Sequence, residues 1–318
     1  MIITFTANPS LDRTVELTAP LVPGGVHRIT ADSTQVGGKG INVALGAHRA
    51  GQDTLAVLPA AADDPMLDLL AAAGIPHRTA TMSGPVRTNL TVVSPPGTTT
   101  KINEPGTALA ADQVSALKDL LLDAASPGDS VMLSGSLAPG IPTDAYVDLV
   151  ARLRRSGVWV GVDTSDAPLE ALAAALDSAA PHFLKPNAEE LGQIVGVPGA
   201  ELEEAATRGD LDGARDAALA LHARGVDAVL VTLGGAGGLL ATDGQAWYSP
   251  SEPVPVVSTV GAGDSATAGY LIGRELGESP AERLARALAY GTCAVSLPGT
   301  TIPHPDQVHP RTDLVRPL

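Results

Sequence analysis

The feature that most limits how this chain can fold is an alternation that begins near residue 110. Short apolar runs recur between stretches of helical periodicity: Val131-Met132-Leu133, then 143–155, Val158 to Val162, 167–176, His182 to Leu184, and 187–195. A helix near 210–223, a buried strand at Ala228 to Thr232, a hairpin turning at Asp243-Gly244 and two helices near 264–276 and 281–296 extend the pattern. Apolar runs of this kind need cover on both faces, and the helices between them supply it. The alternation predicts an α/β fold with a mostly parallel sheet between helical layers.

Two stretches depart from it. Residues 13–35 and 86–104 alternate polar and apolar side chains, as in Thr14-Val15-Glu16-Leu17 and Thr88-Asn89-Leu90-Thr91-Val92-Val93, and are broken by Pro and Gly. They predict a small β insert, and inserts rising from the strand ends of such a sheet commonly cover a ligand. No internal repeat or interdomain linker interrupts the 318 residues.

Composition narrows the function. A formal charge of −15 repels polyanions, which argues against nucleic acid or an anionic membrane as partner, so an anionic substrate needs locally gathered cations. There are four lysines, and Lys39, Lys101 and Lys185 fall in loop-like or motif-like stretches, whereas Lys118 sits on a helical pattern. The single cysteine, Cys293, rules out a disulfide framework and reads as core packing. No apolar run approaches the roughly 18 residues of a membrane span, and the first residues, Ile2-Ile3-Thr4-Phe5-Thr6, read as a strand without a basic leader; a cytoplasmic protein is expected.

The sharpest motif is Val256-Val257-Ser258-Thr259-Val260-Gly261-Ala262-Gly263-Asp264-Ser265, read as an apolar strand entering a Gly-rich turn that opens a helix. Backbone N–H groups at such a turn, with the helix N-terminus behind them, form an anion hole. Asp264 then stands where a base could take the proton of an attacking hydroxyl, or where it merely caps the helix. A hydrolase with Ser265 as nucleophile lacks a local His partner, and no P-loop sequence occurs.

Three further motifs carry two readings each. Gln35-Val36-Gly37-Gly38-Lys39-Gly40-Ile41-Asn42 is either a plain loop-to-helix turn or a site where backbone and Asn42 meet sugar hydroxyls and Lys39 meets a phosphate. In Lys185-Pro186-Asn187-Ala188-Glu189-Glu190, Asn187 and Glu190 stand three apart on one helix face: oxygens for Mg²⁺, or a capping box. Thr232-Leu233-Gly234-Gly235-Ala236-Gly237-Gly238 follows a buried strand, as a tight turn or as backbone for adenosine phosphates. Asp12, Arg28, Arg87 and Ser136 fall at polar loop or insert positions, and the seven histidines show no metal spacing.

In order along the chain, Thr6-Ala7-Asn8-Pro9-Ser10-Leu11-Asp12, Gly37-Gly38-Lys39-Gly40-Ile41-Asn42, Arg87-Thr88-Asn89, Ser134-Gly135-Ser136-Leu137, Lys185-Pro186-Asn187-Ala188-Glu189-Glu190 and Val260-Gly261-Ala262-Gly263-Asp264-Ser265 resemble the phosphofructokinase B branch of the ribokinase-like sugar kinases. The resemblance implies one three-layer α/β/α kinase domain over residues 1–318, with a discontinuous β lid of about 13–35 and 86–104 that pairs lids in a homodimer. It implies Asp264 as base, with Gly261, Ala262 and Gly263 as anion hole. Asn187 and Glu190 would serve Mg²⁺; Lys185, Asn187, Thr232, Gly234 and Gly237 would serve ATP. Asp12, Gly37, Gly38, Asn42, Asn89 and Ser136 would hold the sugar.

Several relatives whose substrate already bears a phosphate carry a lysine in the Gly-Gly turn, as Lys39 stands here, and the resemblance therefore implies a phosphorylated substrate. Lys39, Arg28 and Arg87, with Lys101, would grip its phosphate. The implied substrate is a ketose phosphate, fructose 1-phosphate first, with tagatose 6-phosphate and fructose 6-phosphate as alternatives. Some relatives carry a lysine just before the lid arginine, where this chain has Val26 and His27, so the position of that phosphate stays open. A sugar-phosphate sensor on the same fold would need neither Asp264 nor the metal residues.

Overall fold

The computed structural model describes residues 1–95 and 97–318. In chain order the elements are β1 (Ile2–Thr6), β2 (Ser10–Leu17), β3 (Ile29–Gly37), α1 (Lys39–Arg49), β4 (Thr54–Ala60), α2 (Pro65–Ala72), β5 (His77–Thr81), β6 (Arg87–Ser94), β7 (Thr98–Asn103) and α3 (Ala111–Ala124). There follow β8 (Ser130–Ser134), α4 (Ala145–Arg155), β9 (Trp159–Asp163), α5 (Asp166–Ala174), α6 (Leu176–Ala179), β10 (Phe183–Leu184), α7 (Ala188–Val195), α8 (Gly199–Thr207), α9 (Asp212–Ala223) and β11 (Ala228–Thr232). The chain closes with β12 (Gly238–Thr242), β13 (Gln245–Ser249), α10 (Ala262–Glu275), α11 (Pro280–Val295) and β14 (Arg316–Pro317).

Ten strands form the main sheet in the order β14-β13-β12-β11-β10-β9-β8-β1-β4-β5. From β5 across to β11 every neighbouring pair is parallel, and β12, β13 and β14 add an antiparallel edge. Successive side chains of each strand go to opposite faces. Ile3, Val131 and Leu133 join the core beneath α3, α4, α5, α7 and α9, whereas Ile2 and Met132 join the core beneath α10 and α11. The helical layers on both faces are those the alternation predicts.

The β12–β13 hairpin turns at Asp243 and Gly244, whose φ values of 53° and 72° give the left-handed pair that a tight hairpin turn requires. Two sequence readings need correction or extension. Val256 to Val260 is not a strand: Pro253 and Pro255 lack N–H groups for a ladder, and Val256 and Val257 stand exposed at 72% and 57%. Helices α6 and α8 were not anticipated, one being a single turn and the other starting directly after Pro198.

A second sheet of four strands, ordered β3-β2-β6-β7, stands beside the first. Its centre is the parallel pair β2–β6, with an antiparallel strand on each side. Val15, Leu17 and Val92 form its small core. It is drawn from both stretches that the polar-apolar alternation singled out. Among the described residues no helix is long and apolar enough to cross a membrane.

Candidate active site

The carboxyl ends of β1, β8, β9, β10 and β11 open on the same side, and two glycine-led helices enter there. Gly38 precedes α1 with φ 110°, and a Cβ on it would lie 2.8 Å from Thr6 Cγ2. Gly261 precedes α10 with φ 78°. The two helices touch closely where a Cβ on Gly46 would fall 2.8 Å from Ala268 Cβ. One turn earlier on each helix stand Asn42 and Asp264, and Asn42 Nδ2 donates to Asp264 Oδ2 at 2.8 Å. Both side chains are buried.

Beneath them lies a charge cluster organised by Asp163, at the end of β9 and fully buried. Lys39 Nζ donates to Asp163 Oδ1 at 2.7 Å and lies 3.9 Å from Glu190 Oε1. Lys185 Nζ stands 3.4 Å from Asp163 Oδ2, which also accepts from Thr267 Oγ1 at 3.4 Å. Burial alone would raise Asp163, but Lys185 and Lys39 outweigh it and hold the carboxylate below its usual range. Burial would lower Lys39, yet Asp163, Asp264 and Glu190 together raise it, so it stays a cation. Asp264 has the opposite balance. Burial raises it and the Asp163 charge adds to that, Lys39 and the Asn42 hydrogen bond resist, and the carboxyl is pushed up to about 6.

Of the two readings of the Asn187 and Glu190 spacing, the reciprocal cap is realised. Asn187 Oδ1 accepts from the Glu190 N–H at 2.8 Å, and Glu190 Oε2 accepts from the Asn187 N–H at 2.9 Å. Asn187 Oδ1 is therefore committed to the backbone, and Glu190 Oε1, facing Lys39, is the oxygen left over. Among the described residues no group of three or more His, Cys, Asp or Glu side chains could cage a metal.

The second sheet brings another set together. Asp12 Oδ1 accepts from Ser10 Oγ at 2.8 Å and from Asn89 Nδ2 at 3.1 Å, the latter across the β2–β6 register. A Cβ on Gly37 would fall 2.3 Å from Asp12 Cγ, so glycine makes room for that carboxylate. Arg87, paired with Ser10 in the same register, reaches the Glu104 carbonyl at 3.4 Å, while its Nε is buried without a partner among the described residues. Ser136 is half-buried in the loop after β8, which is pinned where Tyr146 Oη and Thr164 Oγ1 donate to the Gly135 carbonyl at 2.9 and 3.0 Å. Arg28 and Lys101 are exposed, on the outer strand β7 or just before β3, and join neither the Asp12 nor the Asp163 network.

Beyond the start of α10 opens a cleft of about 750 Å³ whose walls include Asn187, Thr232, Gly234, Gly237, Ala262 and Gly263. Val254, Val256, Leu288 and Val295 make its apolar side. Val256, exposed before Gly261, thus walls the cleft. At Gly237, with φ 106°, a Cβ would meet the Ser249 carbonyl at 2.2 Å, so the backbone there is bare by necessity. Lys185 underlies the Gly261–Gly263 turn: a Cβ on Gly263 would lie 3.3 Å from its Nζ. Gly234–Ala236 forms a single 3₁₀ turn, and Gly234 and Gly237 both line the cleft.

Sequence reasoning missed Asp163 and Thr267. A signal existed for the first: an acidic residue closing an apolar strand lies at the carboxyl edge where ligands of open sheets bind. Thr267, one turn after Gly263 and donating to its carbonyl at 3.1 Å, carried none.

A doubly covered α/β sheet, with a cleft of nucleotide size ending at a helix N-terminus and a buried carboxylate, is the frame of a phosphotransferase. Residues 6–307 match the pfkB family of carbohydrate kinases, and the chain belongs to that family. It is 35% identical to a 1-phosphofructokinase of Haloferax volcanii, over 97% of this chain and 95% of that one. It is likewise 35% identical to a 1-phosphofructokinase of Xanthomonas campestris, over 92% and 90%. The structure of phosphofructokinase-2 from Escherichia coli in complex with substrates and products superimposes with a TM-score of 0.86 at 30% identity, covering 96% of each chain. The fold is ribokinase-like, and the enzyme is a kinase acting on a sugar hydroxyl.

Proposed function

We propose that this kinase transfers the γ-phosphoryl group of ATP to the free primary hydroxyl of fructose 1-phosphate, giving fructose 1,6-bisphosphate and ADP. The observation that carries the mechanism is Asp264, buried at the first turn of α10 and held by Asn42. One carboxylate oxygen is oriented by that hydrogen bond, which leaves the other for the acceptor hydroxyl. The N–H groups of Gly261, Ala262 and Gly263, without partners inside the helix, face the phosphoryl group as charge builds on it. Lys39 and Lys185, fixed by Asp163, add positive charge on the same side.

ATP fits the cleft by shape and by chemistry. The bare backbone at Gly234 and Gly237 and the Thr232 end of β11 suit its phosphates and ribose, and the apolar wall suits a base. Mg²⁺ keeps most of its water and substrate ligands, so Glu190 Oε1, which makes no hydrogen bond among the described residues and lies 3.9 Å from Lys39 Nζ, would be enough from the protein side. Bound there it would neutralise phosphate charge.

Asp12, Asn89, Gly37, Gly38, Asn42 and Ser136 would take the sugar hydroxyls. Arg87, with an unpartnered nitrogen in a site facing Asp12, is best supported as the grip on the substrate's own phosphate. Lys39 is drawn inward by Asp163, and Arg28 and Lys101 reach that phosphate only if the second sheet closes. That sheet is the lid of a single kinase domain spanning 1–318, and closing it keeps water from the phosphoryl group. Val22, Val26, Ile29 and Ile102 leave apolar surface exposed on it, Val26 at 93%, which supports pairing of two lids in a homodimer. A cytoplasmic setting, where ATP and sugar phosphates occur, belongs to the same proposal.

The test is ADP release with Mg-ATP against fructose 1-phosphate, fructose 6-phosphate, tagatose 6-phosphate and free fructose. Highest kcat/KM for fructose 1-phosphate is the expected result. Preference for a 6-phosphate moves the substrate and keeps the mechanism, and no ADP release with any of them favours the sensor.

A further inference from the structure

At the amino ends of β9, β10 and β11, on the edge of the sheet opposite the active site, a second cavity of about 490 Å³ opens. Its lining includes Arg154, Arg155 and Arg224, with Asp177, Ser178 and Ala180. Arg154 and Arg155 end α4, and Arg224 follows α9 directly, so two helices deliver three guanidinium groups to one hollow. On a chain of formal charge −15 such a gathering runs against the surrounding field.

Each arginine is only partly engaged. Arg154 Nη1 donates to the Ala180 carbonyl, Arg155 Nε to the Ala151 carbonyl at 3.0 Å, and Arg224 Nε to Asp177 Oδ1 at 3.4 Å. A guanidinium has five N–H donors, so most remain available. Asp177 is the one carboxylate in the lining and is 83% exposed. The balance at the cavity is therefore positive.

Arginines are favoured near helix C-termini by the helix dipole alone, which is the plainer account of these three. It accounts for basic residues in the last turn of α4, where Arg152, Arg154 and Arg155 lie, and for Arg224 at the end of α9. It does not require that side chains from two helices share a hollow large enough for a small metabolite, with most of their donors unused.

We propose that this cavity binds a small anion bearing a phosphate group, held by the forks of Arg155 and Arg224 with Arg154 behind them. Strand β9 covers five residues from Trp159 to Asp163, so the two sites lie about 17 Å apart along the sheet at ~3.3 Å per residue. A phosphate here does not compete with sugar phosphate or nucleotide.

The test is calorimetric titration of the full chain with inorganic phosphate and, separately, glycerol 3-phosphate, at low salt. Wild type is compared with the Arg155→Gln/Arg224→Gln variant. Both proteins share the active site, so a difference between them belongs to this cavity. The expected result is a binding event present in wild type and weakened about tenfold or more in the variant, as loss of charge-assisted hydrogen bonds implies, with kcat/KM unchanged. Tighter binding of the ester assigns a phosphorylated metabolite, and equal binding assigns free phosphate. Identical isotherms overturn the proposal, as does a variant that loses only stability to urea. If the double variant does not fold, Arg155→Gln alone is read by the same criteria.

Discussion

Asn42 and Asp264 lie 222 positions apart in sequence and meet at 2.8 Å between the first turns of two helices. Their meeting depends on a close approach further along, where Gly46 leaves room for Ala268. Each of those residues is four positions after its partner at the site, so the helical repeat carries the packing contact to the polar one. The amide stabilises the charged form of a carboxylate that burial otherwise disfavours.

That balance sets a pH dependence. A base must be ionised, and Asp264 has been raised to about 6, so activity is present above that pH and is lost as pH falls through it. The acid limb of kcat/KM should follow a single group near 6. Replacing Asn42 by Ala removes a contribution that lowers the Asp264 pKa, and the limb should move to higher pH. A limb that stays in place or moves down contradicts the assignment.

Asp163 has no place at the reacting atoms, yet it fixes both lysines of the site. Asp163→Asn should lower kcat by about 10²-fold, because misplaced charges no longer meet the phosphoryl group. It should also destabilise the protein by about 3 kcal/mol or more, since buried Lys185 loses its counter-charge. Rates within roughly threefold of wild type, with stability lost, would make Asp163 a purely structural residue.

Arg87 is a test of the phosphate grip. Arg87→Gln should raise KM for the sugar phosphate by about 10-fold or more while changing kcat much less, the pattern of a group that binds ground and transition states alike. An unchanged KM would point the substrate's phosphate elsewhere.

The candidate site was legible in the sequence where its chemistry is local. Gly261-Ala262-Gly263-Asp264 could be read because a turn, a helix start and a carboxylate fall within four residues, and Asp243-Gly244 because two successive left-handed residues leave few alternatives. The spacing of Asn187 and Glu190 was legible too, though as a cap. What long-range packing decides was not. Nothing near Asp163 announces the two lysines it holds, which come from 124 positions before it and from the next strand along. The run Val256 to Val260 has strand-like residues, but its place at the lip of a cleft, after two prolines, overrides that propensity.

The central claim is that Asp264 is the base of phosphoryl transfer, and the most direct measurement is turnover of Asp264→Asn with Mg-ATP and fructose 1-phosphate, alongside nucleotide binding. Loss of a general base costs about 10²- to 10⁴-fold, so kcat should fall by at least that lower bound while nucleotide affinity stays near wild type. Retention of more than about a tenth of the rate would contradict the account and leave Asp264 as a buried structural partner of Asn42 in the first turn of α10.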